Sequence, residues 1–250
     1  MSDPLFTWCL LLGAAFLGGG LNAIAGGGSF FTFPALVYVG VPAVAANASG
    51  TLALLPGYIA STWGFREDLR ASRSLSLRVL IVMSMLGGAI GASLLLITPD
   101  ATFRAIVPWL LLVATLLFAA GPALLRQLNR EGEAGRAAQA VSVFAVSIYG
   151  GYFNGGLGIV LLAAFCLLGH HNLNAMNGLK NLASTVLTTI AVCFYAYGGA
   201  IVWQQALVMM VAAVIGGYVA ARIARRLPPT IVRGVVVVTG AVMTVLFFSA

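Results

Sequence analysis

Two asparagines and one lysine are the side chains best placed to bind a ligand in an otherwise apolar sequence. Asn22 lies in the stretch GGGLNAIAGGG at residues 18–28, and Asn154 lies in GGYFNGGLG at residues 150–158. Glycine has no Cβ, so both stretches allow the backbone to leave a helix and another group to approach closely. Side-chain amides, free backbone N–H groups and an ammonium all donate hydrogen bonds to anions. The two glycine-rich breaks therefore predict a binding site for a small anion.

Lys180 is the only lysine in the sequence, and it follows the second break by about twenty residues. An ammonium near the centre of a bilayer costs at least about 2.5–3.5 kcal/mol, and a bound anion is one way to offset that cost. Lys180 lies only about five residues into its predicted span, however, which is about 7.5 Å of helix. Two interpretations stay open: Lys180 contacts the anion, or it extends its side chain to water at the membrane surface.

Small polar residues recur at helical spacing after each break, which puts them on one helix face. The set comprises Asn177, Asn181, Ser184 and Thr188 in the second half, and Asn47, Thr51 and Tyr58 in the first half, where Leu54 interrupts the series. Hydrogen bonds between helices would explain these residues equally well. Their recurrence in both halves favours a shared polar cavity.

The predicted pocket combines these side chains with backbone N–H groups just past the glycines, where short helices are expected to begin near Ser29 and Ile159. The predicted lining residues are Asn22, Gly26, Gly27, Gly28, Ser29, Asn47, Thr51, Asn154, Gly156, Gly158, Asn177, Lys180 and Asn181.

Other chemistry finds little support in the sequence. The six acidic residues all fall in termini or loops, so no carboxylate is available for a proton relay or a sodium site within the membrane. His170 and His171 could couple transport to protons, although a position in an interfacial loop is the preferred interpretation. No catalytic motif occurs, and the two histidines are too few for a metal site. We expect no enzymatic activity, no cofactor and no metal.

Composition identifies the class of protein. Of 250 residues, 61% are hydrophobic and only 8% are charged, with a mean hydropathy of +1.03; soluble domains carry about 25% charged residues. The chain is therefore an integral membrane protein. Its net charge of +7 reflects arginines in cytoplasmic loops rather than binding to nucleic acid.

The order of the elements repeats once along the chain. Predicted spans cover 5–25, 43–63, 77–97, 102–124, 139–157, 175–197, 204–224 and 231–249, with short apolar pieces at 29–40 and 159–169. A piece of twelve residues reaches about 18 Å, too short to cross a core of about 30 Å. We predict an all-α polytopic fold of two membrane repeats, 1–125 and 139–250, joined by a polar linker at 126–138. Each repeat has a Gly-broken helix and half-helix pair plus three full spans.

Arginine placement predicts the topology. Loops 64–78, 126–138 and 222–230 are basic, whereas 98–101 and 198–203 carry no basic residue. The basic loop 64–78 and its uncharged counterpart 198–203 are thus expected on opposite sides of the membrane. The two repeats are therefore predicted to be inverted, provided that each Gly-broken pair turns back on itself. The linker is then cytoplasmic, and both termini are periplasmic.

The pattern as a whole resembles the TauE/SafE family of sulfite-exporter-like permeases. The resemblance rests on Gly18 to Gly28, then Pro34, Gly40 and the Ala-rich stretch 45–51, and on a second copy from Gly150 to Gly158 followed by Gly169 and 175–181. The second copy lacks an unbroken glycine triplet and has Cys166 in place of a proline. The resemblance implies transport of sulfite or an organosulfonate across a bacterial inner membrane.

Three functions remain open at this point. The leading hypothesis is a secondary carrier of a small anion that works by alternating access between the repeats. The alternatives are a passive anion channel and a membrane scaffold subunit that transports nothing. The expected partners are the small anionic substrate and the lipid bilayer. The sequence contains no signal that favours one oligomeric state over another.

Overall fold

The computed structural model describes residues 4–71, 76–127, 135–170, 172–223 and 229–249, and these residues form helices joined by short connections. The helices are α1 (Pro4–Ala25), α2 (Ser29–Tyr38), α3 (Ala43–Gly64), α4 (Arg66–Ala71), α5 (Leu77–Ile97), α6 (Asp100–Gln127), α7 (Arg136–Tyr152), α8 (Leu157–Leu167), α9 (Leu173–Tyr197), α10 (Trp203–Ile223) and α11 (Pro229–Ser249). The prediction of an all-α fold is confirmed within the described ranges.

Five of these helices are long and apolar enough to cross a membrane: α1, α3, α5, α9 and α10. The helices α2 and α8 are apolar but shorter, as predicted for the two short apolar pieces. A chain with several such spans is a multi-pass membrane protein.

Several element boundaries differ from the predicted ones. The loop at 64–78 contains the short helix α4, and the predicted linker 126–138 is helical at both described ends, since α6 continues to Gln127 and α7 begins at Arg136. The helix α7 ends at Tyr152 rather than at 157. Gly155 and Gly156 of the second break therefore lie between α7 and α8, whereas Gly150 and Gly151 belong to α7 and Gly158 to α8.

Small residues bring the two halves of the chain into backbone contact. The helix α1 packs most extensively on α10, and α5 packs equally closely on α7. Gly19 of α1 contacts the backbone of Ala213, and Gly91 of α5 contacts the carbonyl of Ile148. A side chain at either glycine would separate the helices, so both positions require a small residue.

Each short helix lies next to the longer helix that precedes it. Gly18 of α1 lies against the carbonyl of Gly28 and the side chain of Thr32, so α2 folds back beside the end of α1. The helices α3 and α9 pack on each other, and the Thr62 and Thr185 hydroxyls are 2.8 Å apart. These contacts bring the two glycine breaks to the middle of the helix assembly.

Candidate functional site

The two glycine breaks touch each other. Gly26 has a φ of +80°, and a Cβ at this position would lie 2.9 Å from Cα of Gly158. Gly156 has a φ of +70°, and a Cβ there would lie 2.7 Å from Cβ of Ala114. Both positions combine a left-handed backbone with a close neighbour, and only glycine satisfies both conditions. The sequence predicted two separate breaks; the fold joins them.

Tyr58 connects the asparagines of the two breaks. Its hydroxyl donates to Oδ1 of Asn154 at 3.2 Å, and the Asn22 side-chain amide interacts with the same hydroxyl. The exposed fractions of Asn22, Tyr58 and Asn154 are 5%, 2% and 1%. We call these three residues the amide–tyrosine bridge. Tyr58 lies on the predicted polar face of α3, seven residues after Thr51, but was not among the predicted pocket residues.

The bridge leaves hydrogen-bonding atoms without partners inside the protein. Oδ1 of Asn22 and Nδ2 of Asn154 are both buried and form no hydrogen bond within the described part of the chain. The hydroxyls of Thr51, Ser184 and Thr188 are in the same condition. Buried polar atoms are nearly always hydrogen-bonded in native proteins, so these atoms indicate places for a polar ligand or water.

Side chains of this protein satisfy the carbonyl groups around the second break. Asn47 donates from Nδ2 to the carbonyl of Tyr152 at 3.1 Å, and the Tyr149 hydroxyl donates to the carbonyl of Gly155 at 2.5 Å. The Tyr195 hydroxyl donates to the carbonyl of Gly151. The end of α7 leaves the carbonyls of Gly151 and Tyr152 without intrahelical partners, and the carbonyl of Gly155 lies in the connection to α8. Asn47, a predicted pocket residue, thus has a structural role.

Unlike these carbonyl groups, the backbone N–H groups at the starts of the two short helices have no side-chain caps. The helices α2 and α8 are preceded by Gly28 and Gly156, and neither N-terminus has a side-chain capping bond. In α2 the amides of Phe30 and Phe31 bond back to the glycines, and in α8 the amides of Ile159 and Val160 do so. The N-terminus of a helix carries a partial positive charge. Both breaks therefore contain a helix N-terminus with a partial positive charge. The carbonyl groups of the second break, in contrast, already accept hydrogen bonds from side chains.

Lys180 and Asn177 form a separate group on α9. Lys180 is only 3% exposed, and its Nζ donates to Oδ1 of Asn177 at 3.1 Å. Gly178 packs against Phe65 and Leu69. This packing lies on the far side of the Thr62–Thr185 contact from Tyr58. Lys180 precedes Thr185 by five residues, so it lies about 7.5 Å further from the bridge than Thr185 does, measured along the axis of α9. The burial does not match a side chain that extends to bulk water.

Other residues that the sequence singled out also lie inside the protein. Ser29, Thr51 and Asn181 are buried. His170 lies in the connection between α8 and α9 and is buried, with its ring edge against Phe165. His171 lies outside the described residues. Among the residues that the structure describes, no group of three or more His, Cys, Asp or Glu could hold a metal ion.

The fold and the site together define a class of protein: a multi-pass helical membrane protein, with broken helices that place polar groups inside the assembly. The chain belongs to the family described as Sulfite exporter TauE/SafE, whose family model matches residues 11–247. The predicted family resemblance is confirmed.

Several relatives match nearly the whole chain. A "Probable membrane transporter protein" of Haemophilus influenzae is 28% identical over 246 residues, which cover 94% of this chain and 92% of the relative. The "Probable membrane transporter protein YfcA" of Escherichia coli K12 is 28% identical over 244 residues, covering 98% and 90%. The "Probable membrane transporter protein ORF9" of a Sinorhizobium species is 26% identical over 241 residues, covering 93% and 88%.

Proposed function

We propose that this protein is a secondary transporter of a small anion, sulfite or an organosulfonate, that works by alternating access between two inverted repeats. The observation that carries the proposal is the contact of two uncapped short-helix N-termini beside the amide–tyrosine bridge. Inverted-repeat transporters place the substrate at such an interface, with the ends of broken helices directed at it. The family to which the chain belongs supplies the sulfur chemistry of the substrate.

Reciprocal packing supports the two-repeat architecture. If α1, α2, α3, α5 and α6 correspond to α7, α8, α9, α10 and α11, then the contact of α1 with α10 becomes the contact of α7 with α5. These two contacts are the most extensive between helices in the described part of the chain. The contacts of α3 with α9 and of α6 with α11 map onto themselves. Exchange of the repeats thus preserves the packing, as a twofold axis requires.

The return of α2 along α1 supports inversion. A helix pair that turns back contributes no net crossing, so three further spans carry the chain to the opposite side. The proposed topology has eight spans and two short half-helices, a cytoplasmic linker at 126–138 and periplasmic termini in a bacterial inner membrane. The basic residues of the linker agree with this orientation.

The polarity of the site supports an anion rather than a cation. A cation would need the carbonyl oxygens of the break, but Asn47, Tyr149 and Tyr195 already donate to three of them. An anion needs donors, and the uncapped N-termini of α2 and α8 supply them without a formal charge. Lys180 is proposed to attract the anion from its place between the bridge and the start of α9 at Leu173.

Counterflow in proteoliposomes tests this function. Vesicles containing purified protein and loaded with unlabelled sulfite should accumulate labelled sulfite in a saturable manner. Flux at rates far above those of carriers would identify a channel, and absence of any anion flux would leave the scaffold hypothesis.

A variant pair connects the flux to the site. Asn154→Leu removes an amide of the bridge at similar volume and should abolish counterflow while the protein remains folded. Asn172→Ala is the matched control, because Asn172 is exposed and its Oδ1 accepts from the amide of Ala175 at the start of α9. Equal counterflow in the two variants would place the substrate site elsewhere.

A further inference from the structure

We propose that a groove between α3 and α9 binds one anionic phospholipid, with an acyl chain along the groove and the phosphate at Arg66. The groove follows α3 from Pro56 to Arg66, is completed by Leu69 of α4 and Thr185 of α9, and has a volume of about 760 Å³. The described residues that line it belong to these three helices and not to the glycine breaks. We call it the α3–α9 groove.

The walls of the α3–α9 groove are mostly apolar and face outward from the helix assembly. Pro56, Ile59 and Ala60 line it, and Ile59 is 50% exposed. The helix α3 is long and apolar enough to cross a membrane, so the outward face of its apolar part contacts acyl chains rather than water. Exposed apolar surface of this kind marks a site of interaction with the membrane.

The length of the groove matches one leaflet of a bilayer. Pro56 and Arg66 are ten residues apart, which is about 15 Å of helix, and the hydrocarbon core of a bilayer is about 30 Å thick. Since α3 ends at Gly64, Arg66 lies where the span meets the membrane surface. Trp63, which is 71% exposed, is a typical residue of that interface. An acyl chain of the same leaflet therefore lies along the groove.

Two threonines in the groove have already used their protons. The Thr62 hydroxyl donates to the carbonyl of Tyr58 at 2.9 Å, and it lies 2.8 Å from the Thr185 hydroxyl. A hydroxyl has a single proton, so Thr185 must be the donor in the second bond. Neither threonine can donate to a ligand while these bonds persist. A small anion in the middle of the groove would gain no hydrogen bond from them, whereas an acyl chain needs none.

The groove residues that can donate to an anion lie at the membrane surface. Arg66 donates from Nη1 to the carbonyl of Trp63 at 3.1 Å, and its guanidinium carbon lies 5.3 Å from the Trp63 ring centroid. These contacts hold the guanidinium at the end of the groove, next to the indole N–H of Trp63. A guanidinium has five N–H groups and binds phosphate with two of them at once. Arg66 can therefore bind a lipid phosphate while it keeps its bond to Trp63.

The charges around Arg66 favour an anionic headgroup. Nη2 of Arg66 lies 3.6 Å from Oε1 of Glu67, whose side chain is 84% exposed. Such an exposed ion pair contributes little free energy, so Glu67 competes weakly with a phosphate. The sequence of loop 64–78 contains four arginines and two acidic residues, which gives a net charge of +2. Basic segments next to a membrane span attract anionic lipids.

Native mass spectrometry of the detergent-solubilised full chain tests the proposal with dioleoyl phosphatidylglycerol and dioleoyl phosphatidylcholine. The two lipids have the same chains and differ in headgroup charge. Phosphatidylglycerol should bind about fivefold more tightly, the effect of one basic residue near a membrane surface. Arg66→Gln should remove this preference. Arg78→Gln is the matched control, because Arg78 is an exposed arginine of the same loop outside the groove, and it should keep the preference.

Two further measurements separate the chain from the headgroup. Ala60→Phe fills the groove at an exposed position and should weaken the binding of both lipids. Glycerol 3-phosphate has the phosphate without the chains and should not displace phosphatidylglycerol even in large excess. Arg66 is exposed as well, so Arg66→Gln still tests the proposal if Ala60→Phe does not fold.

Equal affinity of the unmodified chain for the two lipids would overturn the proposal. An equal loss of preference in Arg66→Gln and Arg78→Gln would also overturn it, because net charge rather than the groove would then decide. Unchanged binding of both lipids to folded Ala60→Phe would exclude the groove as the chain site. Displacement by glycerol 3-phosphate would assign Arg66 to a small anion instead. These measurements involve no transport, so their failure leaves the proposed transport function untouched.

Discussion

The contact between Gly26 and Gly158 is the most direct structural link between the two breaks, and Gly26→Ala tests it. The new Cβ would lie 2.9 Å from Cα of Gly158 and 3.4 Å from its N. Both neighbours are backbone atoms of the opposite break, so neither moves without displacing α8. The substitution therefore forces the breaks apart.

Two costs add in this variant. Alanine in a left-handed conformation costs about 1–2 kcal/mol, and crowding in a packed interior costs typically about 1–3 kcal/mol more. Gly40→Ala separates them, because Gly40 has a φ of +89° and no neighbour within 4 Å of an added Cβ. The difference between the two variants isolates the contact.

Thermal unfolding of the detergent-solubilised variants, with counterflow measured in parallel, is the assay. At about 2–4 °C per kcal/mol for a chain of this size, Gly26→Ala should melt roughly 2–12 °C below Gly40→Ala. It should also lose most counterflow, whereas Gly40→Ala should retain it. If both variants melted at similar temperatures and showed similar flux, the contact between Gly26 and Gly158 would not be a rigid part of the site.

Further predictions concern the remaining parts of the site and the topology. Lys180→Ala should weaken sulfite binding without loss of folded protein, and an unchanged affinity would exclude Lys180 from the anion's path. Asn47→Ala should lower the unfolding temperature, because the Tyr152 carbonyl loses its donor at a cost of about 1–3 kcal/mol. Gly27→Leu should reduce transport, since even its Cβ would lie 3.2 Å from Cδ2 of Phe30. A cysteine introduced as Arg130→Cys, outside the described residues, should react with an impermeant maleimide from the cytoplasmic side; labelling from the periplasm would contradict the topology.

The elements of this fold were predictable because their signals are local. Hydropathy places the spans, and the distance from the first break to Gly40 limits α2 to a short helix, which the structure places at Ser29–Tyr38. Glycines next to Asn22 and Asn154 indicated where the helices end. Each of these signals depends on neighbours within a few turns of the same segment, so no knowledge of packing was needed.

The membership of the site was not predictable in the same way. Tyr58 and Asn154 are 96 residues apart, and Asn47 and Tyr152 are 105 apart, so their contacts depend on how α3 packs against the breaks. Asn47 and Lys180 carry similar polar signals in the sequence, yet Asn47 donates to the carbonyl of Tyr152 at a helix end, whereas Lys180 donates to Asn177 on its own helix.

The sequence by itself determined a membrane-embedded helical protein with two glycine breaks, because burial preference and backbone freedom are properties of each segment alone. Only the tertiary structure decided that the breaks touch at Gly26 and Gly158 and that Tyr58 connects their asparagines. Hydrogen bonds between distant segments form where packing brings donor and acceptor within about 3 Å, and that distance is a property of the whole assembly.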